Sequence, residues 1–156
     1  MSVNRNISAG IALFRTAGRG LEVLLAHPGG PYWARRDAGV WTIVKGEIEA
    51  NEDPERAALR EFAEETGFAL AGKLQPLGAI RQAGGKVVHG FAVRGDFDPA
   101  ALSSSHFEME WPPRSGQLRS FPEIDRVEWF DEVTAKMKIN PAQIPFIDQL
   151  SSLKPE

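Results

Sequence analysis

The chain has no cysteine. That excludes disulfides, iron–sulfur clusters, thiolate zinc sites and a cysteine nucleophile. It has no basic, apolar leader at its start and no long apolar run, so neither export nor membrane insertion is indicated and a cytoplasmic location is expected. Asn6-Ile7-Ser8 fits a glycosylation acceptor, but without an export signal the match is read as chance. Basic residues are not in excess. Eighteen Lys and Arg against 21 Asp and Glu give a net charge of -3, the wrong sign for a general nucleic-acid binder, and no nucleic-acid polymer is expected as a partner. The 3 histidines are too scattered for a zinc site. A G-x-S-x-G elbow and a Walker loop are both missing, which leaves serine hydrolase and P-loop NTPase chemistry without support. There is no internal repeat and no linker long enough to divide the chain. Residues 1–156 read as a single domain, of a size that buries a core without staples.

What is present is a concentration of acid. Gly46 to Phe68 reads GEIEANEDPERAALREFAEETGF. Asp53 is a good N-cap, Pro54 suits the first helical position, and Gly67 is a natural left-handed stop. The helix between them is about 13 residues long, near the mean for globular proteins. At roughly 100° per residue, Glu61, Glu64 and Glu65 share an arc of about 100°. Ala58, Leu59, Phe62, Ala63 and Thr66 fill the adjoining arc and are expected to bury. Arg60 falls beside the acids. Like charges three and four apart destabilise a bare helix, so a cation is the natural partner for this face. Seen alone, REFAEE would pass for an ordinary solvated run.

The flanking residues decide otherwise. The spacing G-x5-E-x7-R-E-U-x-E-E-x-G-U, with U apolar, is met by Gly46, Glu52, Arg60, Glu61, Phe62, Glu64, Glu65, Gly67 and Phe68. In this the chain resembles the Nudix hydrolase family, the pyrophosphohydrolases of nucleoside diphosphates linked to another moiety. Phe62 stands where an aliphatic residue is more usual, which alters only the packing under the helix. The motif covers 23 of 156 residues, and its surroundings agree with it. Ile7–Arg15 and Leu21–His27 read as strands joined by a Gly18-Arg19-Gly20 turn. Val40–Val44 is a short apolar run leading to Lys45-Gly46. Leu77–Gln82 and Lys86–Val93 flank Gly84-Gly85, a second hairpin signal. Asp125–Phe130 reads as a late strand and Ala142–Leu153 as a terminal helix. The segment Asp96 to Ser120, rich in proline and serine, reads as one long loop.

The resemblance implies an α/β (α+β) fold, an α/β/α sandwich on a mixed β-sheet with the motif helix at the active site. It implies metal-dependent cleavage of a phosphoanhydride in a small nucleotide or diphosphate, with Mg2+ or Mn2+ as cofactor, and it leaves a homodimer open. It casts Glu64 and Glu65 as metal ligands, and Glu61 as a further ligand or the base. The carbonyl of Lys45 or Gly46 would complete the shell. Glu52 and Arg60 would form a supporting pair. A further carboxylate outside the motif is expected among Glu108, Glu110 and Glu123, with Glu47 a weaker candidate. Glu123 is favoured because it lies six residues before Trp129 in the late strand. For the substrate, Lys45, Arg35, Arg36 and Arg81 are candidate phosphate contacts. Trp33 and Trp111, in loops, are candidate walls for a base, with Tyr32 a further aromatic candidate; Trp41 reads as core. His89 reads as structural. The run WTIVKGEIEANED leans toward dinucleoside polyphosphates or nucleoside triphosphates. ADP-ribose, nucleotide sugars and diphosphoinositol phosphates remain alternatives, as does a non-catalytic binding or regulatory module.

Overall fold

A computed structural model describes residues 4–18 and 20–153. In chain order the elements are β1 (Asn4–Ala17), β2 (Gly20–Pro28), β3 (Val44–Ile48), α1 (Pro54–Thr66), β4 (Gln75–Arg81), β5 (Val87–Arg94), β6 (His106–Glu110), β7 (Leu118–Pro122), β8 (Ile124–Asp131), α2 (Glu132–Lys138) and α3 (Ile144–Ser151). The long strand β1 organises the rest. Along one edge it pairs in parallel with β5, from Ile7 to Phe14. Its other edge is shared. The first half of β1 lies antiparallel to β3, and from Phe14 onward it lies antiparallel to β2. With β4 outside β5 and β8 outside β2, the result is a mixed sheet in the order β4-β5-β1-β2-β8, with β3 on β1. Among the described residues no helix is long and apolar enough to cross a membrane.

Side chains alternate across a strand, so one strand feeds two cores. Ala9, Ile11 and Leu13 of β1 face Ala57, Ala58 and Phe62 of α1. Ala12, between them, joins Ala135 of α2 and Phe146, Ile147 and Leu150 of α3 on the opposite face. This is the α/β/α layering expected. Trp41 is 1% exposed and belongs to the second core, as read from the sequence. Its indole N–H donates to Asp37 Oδ1 (2.8 Å).

Helix α1 has the caps expected of it. Asp53 accepts from Arg56 N (3.0 Å), and Gly67 closes the helix at φ +79° with its N–H on the Ala63 carbonyl. The buried face is rotated from the expected arc. Ala57 and Glu65 are buried with Ala58, Phe62 and Thr66, while Leu59 and Ala63 are only half-buried. The helix packs on β1 and β3, with Glu61 half-buried and Glu65 buried.

Three expectations need correction. The segment from Asp96 to Ser120 is not one loop. It carries a short 3-10 turn (Pro99–Ala101) and a separate two-stranded ribbon, β6 with β7. Among the described residues the ribbon pairs only with itself, and its strands are five residues each, too short to stand out from the prolines around them. Helix α2 was not expected. The C-terminal helical segment begins as a 3-10 turn (Pro141–Gln143) and runs as α3 from Ile144. The two strands expected around Gly18-Arg19-Gly20 are present, but Arg19 itself lies outside the described residues.

Candidate active site

A cleft of about 600 Å3 opens where β1 changes partners, a volume typical of ligand sites. Its floor comes from Ser8, Ala26, Thr42 and Ile43. One wall carries carboxylates, chiefly Glu61, Glu64 and Glu65 from α1 and Glu123 from the β7–β8 junction; Lys45 and Lys86 stand in the lining with them.

Gly46 is where β3 meets the helix. A Cβ built on it would lie 1.9 Å from Glu61 Oε2. Only a glycine lets the Glu61 carboxylate rest against the strand, which gives a physical reason for that residue in the motif. Lys45 and Gly46 run opposite Gly10 and Ala9 of β1, so a pleated strand fixes their positions.

Arg60 ties the loop to the helix. Its Nε and Nη2 donate to the two oxygens of Glu52 (2.8 and 2.9 Å), the bidentate arrangement that suits guanidinium. Nη2 also reaches the Glu47 carbonyl (3.0 Å), and Nη1 donates to Glu61 (2.8 Å) and Glu64 (3.0 Å). Glu52 additionally accepts from Glu49 N (3.0 Å). Its hydrogen bonds with Arg60 hold the Glu52 carboxyl below the usual carboxylate range.

The inner carboxylates are shifted the other way. Burial raises Glu65 to about 7; Ser105, which donates to it (2.7 Å), opposes the rise, and Glu123 and Glu61 add repulsion. Burial also raises Glu61, against the pull of Arg60. Glu123 is raised by desolvation and by Glu47. Lys45 is lowered by desolvation and then by repulsion from Lys86. Clustered groups pushed toward neutrality in a cleft mark a functional-site candidate.

The donor set is all oxygen, the kind Mg2+ and Mn2+ take. Among the described residues, however, no three His, Cys, Asp or Glu side chains are gathered to hold a metal ion. Glu61, Glu64 and Glu65 line one cleft, and each carboxylate is engaged by a protein donor. Arg60 stands between Glu61 and Glu64, and Ser105 engages Glu65.

A NUDIX domain model matches residues 4–150. The chain belongs to the NUDIX family. An octanoyltransferase of Myxococcus xanthus is 33% identical over 97 residues, which is 62% of this chain and 24% of the relative. An RNA pyrophosphohydrolase of Gluconacetobacter diazotrophicus is 44% identical over 66 residues, 40% of this chain and 36% of the relative. The matched stretches thus span about a quarter and about a third of those relatives. Among solved structures, a C. elegans Ap4A hydrolase binary complex superposes with a TM-score of 0.64 at 18% identity, covering 93% of this chain and 96% of that one. The NUDIX domain of Shewanella oneidensis NrtR, with ADP ribose, gives 0.62 at 18% identity, covering 94% and 86%. At that identity the likeness is one of fold.

On this NUDIX frame the residues read from sequence separate. Glu61, Glu64, Glu65, Arg60, Lys45, Gly46, Glu47 and Glu123 line one cleft. Of the loop carboxylates, Glu123 is there and the other two are not. Glu108 lies within β6, and Glu110 closes the ribbon turn by accepting from Arg114 N and Gly116 N (both 3.0 Å). Arg35, Arg36, Arg81, Trp33 and Trp111 are outside the lining. Arg81 donates to Gly85 O (3.3 Å) and braces the β4–β5 turn. Arg36 sits over Trp33 (5.6 Å), and its carbonyl is 2.7 Å from His27 Nε2. Trp111 meets Tyr32 edge to face (6.0 Å). Sequence reasoning missed Lys86 and Ser105. Lys86 lines the cleft and Ser105 engages Glu65 behind it; each comes from a distant part of the chain, and no local pattern marks either.

Proposed function

We propose that the chain is a metal-dependent cytoplasmic pyrophosphohydrolase that cleaves a phosphoanhydride of a nucleotide, with nucleoside triphosphates or dinucleoside polyphosphates as the favoured class. The observation that carries this is the cleft itself, which sets Glu61, Glu64, Glu65 and Glu123 beside Lys45 and Lys86. A phosphoanhydride resists attack because its oxygens repel an incoming anion, and a hard divalent cation neutralises them and acidifies a bound water. Glu64 and Glu65 would hold that cation, joined by Glu61. The proton of the attacking water would pass to Glu123 or Glu61, both of which have raised proton affinity. Lys45 would meet phosphate oxygens. Arg60 and Glu52 would keep the loop and helix in register. Trp33 and Trp111, beyond the cleft wall, would serve a base only at the outer end of a long substrate.

The relative named an RNA pyrophosphohydrolase favours a second reading, in which the triphosphate sits at an RNA 5′ end. The deciding experiment is product analysis by mass with Mg2+ and with Mn2+. The panel comprises nucleoside triphosphates, dinucleoside polyphosphates, 5′-triphosphorylated RNA, ADP-ribose and nucleotide sugars. Metal-dependent cleavage of a triphosphate or polyphosphate is expected. Silence across the panel from a folded protein would sink the hydrolase reading in favour of a binding module. Glu64→Gln and Glu123→Gln are each expected to lower turnover by about 10²-fold or more, the range for a positioned acid–base or charge-stabilising group. A wild-type rate would remove that residue from the site.

A further inference from the structure

Three consecutive serines, Ser103, Ser104 and Ser105, lead from the 3-10 turn after β5 into β6. Each is bonded to an element that carries or adjoins a carboxylate of the cleft. Ser103 N donates to the carbonyl of Thr66 (2.9 Å), in the last turn of α1. Ser104 Oγ accepts from N of Ile124 (3.0 Å), the first residue of β8, and donates to the carbonyl of Ser105 (2.8 Å). That same carbonyl accepts from Glu123 N (2.8 Å). The three serines thus clasp the end of α1 to the β7–β8 junction.

Ser105 reaches both of the carboxylates that the clasp joins. Its carbonyl holds the backbone of Glu123, and its hydroxyl donates to Glu65 Oε1 (2.7 Å). Glu65 is 8% exposed. A buried carboxylate that lacks a donor is costly, and a glutamate left to itself has rotamer freedom to lose when it binds an ion. The hydroxyl answers both needs. It partners the ionised group and fixes the way that group points. A carboxylate carries lone pairs on two oxygens, so a bond at Oε1 leaves Oε2 for a cation.

We propose that Ser105 is a positioning residue for the cation site: its hydroxyl presets Glu65, and its carbonyl fixes the backbone of Glu123, so that carboxylates from distant parts of the chain face one space. This rests on the metal-dependent reading above. Hydrogen-bond partners of a ligating carboxylate orient it, and removing one costs about tenfold to a hundredfold in metal affinity. A bond that merely competed with the cation for Glu65 would have the opposite effect, since its removal would tighten binding. The sign of the change therefore decides between the two roles.

The test measures Mn2+ binding to the full chain without nucleotide, from the loss of the free ion's electron spin resonance signal at one buffered pH. Ser105→Ala is expected to weaken Mn2+ by about tenfold, while the bond from Glu123 N, made to backbone, survives. Ser105→Thr should bind as wild type does. Ser105→Val, with the same shape and no hydroxyl, should be as weak as Ser105→Ala, and this pair carries the test if the alanine variant does not fold. In a Glu65→Gln background Ser105→Ala should cost nothing further, because residues that act as one unit are non-additive. Unchanged or tighter Mn2+ binding in Ser105→Ala, a threonine variant as weak as the valine one, or an undiminished loss in the Glu65→Gln background would each overturn the proposal and leave the hydrolase reading standing. Mn2+ binding that depends on Ser105, in a protein that hydrolyses nothing on the nucleotide panel, would uphold it and sink the hydrolase reading. No Mn2+ binding by wild type would sink both.

Discussion

Gly46 is the residue at which the least chemistry does the most. Its missing Cβ is the space that the Glu61 carboxylate occupies, at 1.9 Å from where that carbon would stand. Gly46→Ala would therefore push Glu61 off the strand and disturb its bond from Arg60 Nη1 (2.8 Å). The fold has little to lose, because β3 pairs with β1 through its backbone. Turnover should fall by about 10²-fold, the scale expected when a reacting group shifts by about an ångström, with only a small change in melting temperature. A full-rate alanine variant would show that Glu61 need not stand where the structure places it. Arg60 matters in a different way. Its planar fork engages Glu52, Glu61, Glu64 and the Glu47 carbonyl at once, a geometry that lysine has no means of reproducing.

At the scale of elements, α1 was almost fully legible, because its boundaries are set by local chemistry. Asp53, Pro54 and Gly67 each act within a turn of their own position, so the residues themselves announce the ends. The cap is testable. Asp53→Ala removes the acceptor of Arg56 N (3.0 Å) and should cost about 1 kcal/mol, or about 2–4 °C in a domain of this size. The Michaelis constant should stay put, since Asp53 lies outside the cleft lining. A shifted Michaelis constant with an unmoved melting temperature would mean the cap steers the site rather than the helix. The rotation of α1 was not legible. Helical spacing gives relative angles, but the roll of the helix is fixed by partners such as Gly46 and Ser105, which lie outside it. The β6–β7 ribbon and α2 escaped for a related reason. Each is short, and the prolines and serines around the ribbon outweigh five-residue strands.

At the scale of the molecule, the sandwich places α1 against one face of the sheet and α2 and α3 against the other, and the cleft lies where β2 and β3 part along β1. Its acidic wall could be read from the motif. Lys86 could not be, because only the parallel pairing of β5 with β1 brings it near Lys45. The assembled wall has a consequence that no single residue predicts. Burial and mutual repulsion raise Glu61, Glu65 and Glu123 together, Glu65 from the ordinary 4.5 to about 7. Between those two values the folded, metal-free chain binds more protons than the unfolded one. The contribution of Glu65 to stability is therefore complete below about pH 4.5 and is lost as pH rises through about 7. A divalent cation would stabilise the ionised carboxylates and release the held proton, so its effect must grow over the same window. Melting curves with and without Mg2+ should thus diverge at about pH 8 and nearly coincide at about pH 5. Glu65→Gln, neutral throughout, should melt higher than wild type at the upper pH without metal, and should gain little from Mg2+ at either pH. An equal Mg2+ shift at both pH values would show that the cation binds somewhere other than the carboxylates of α1.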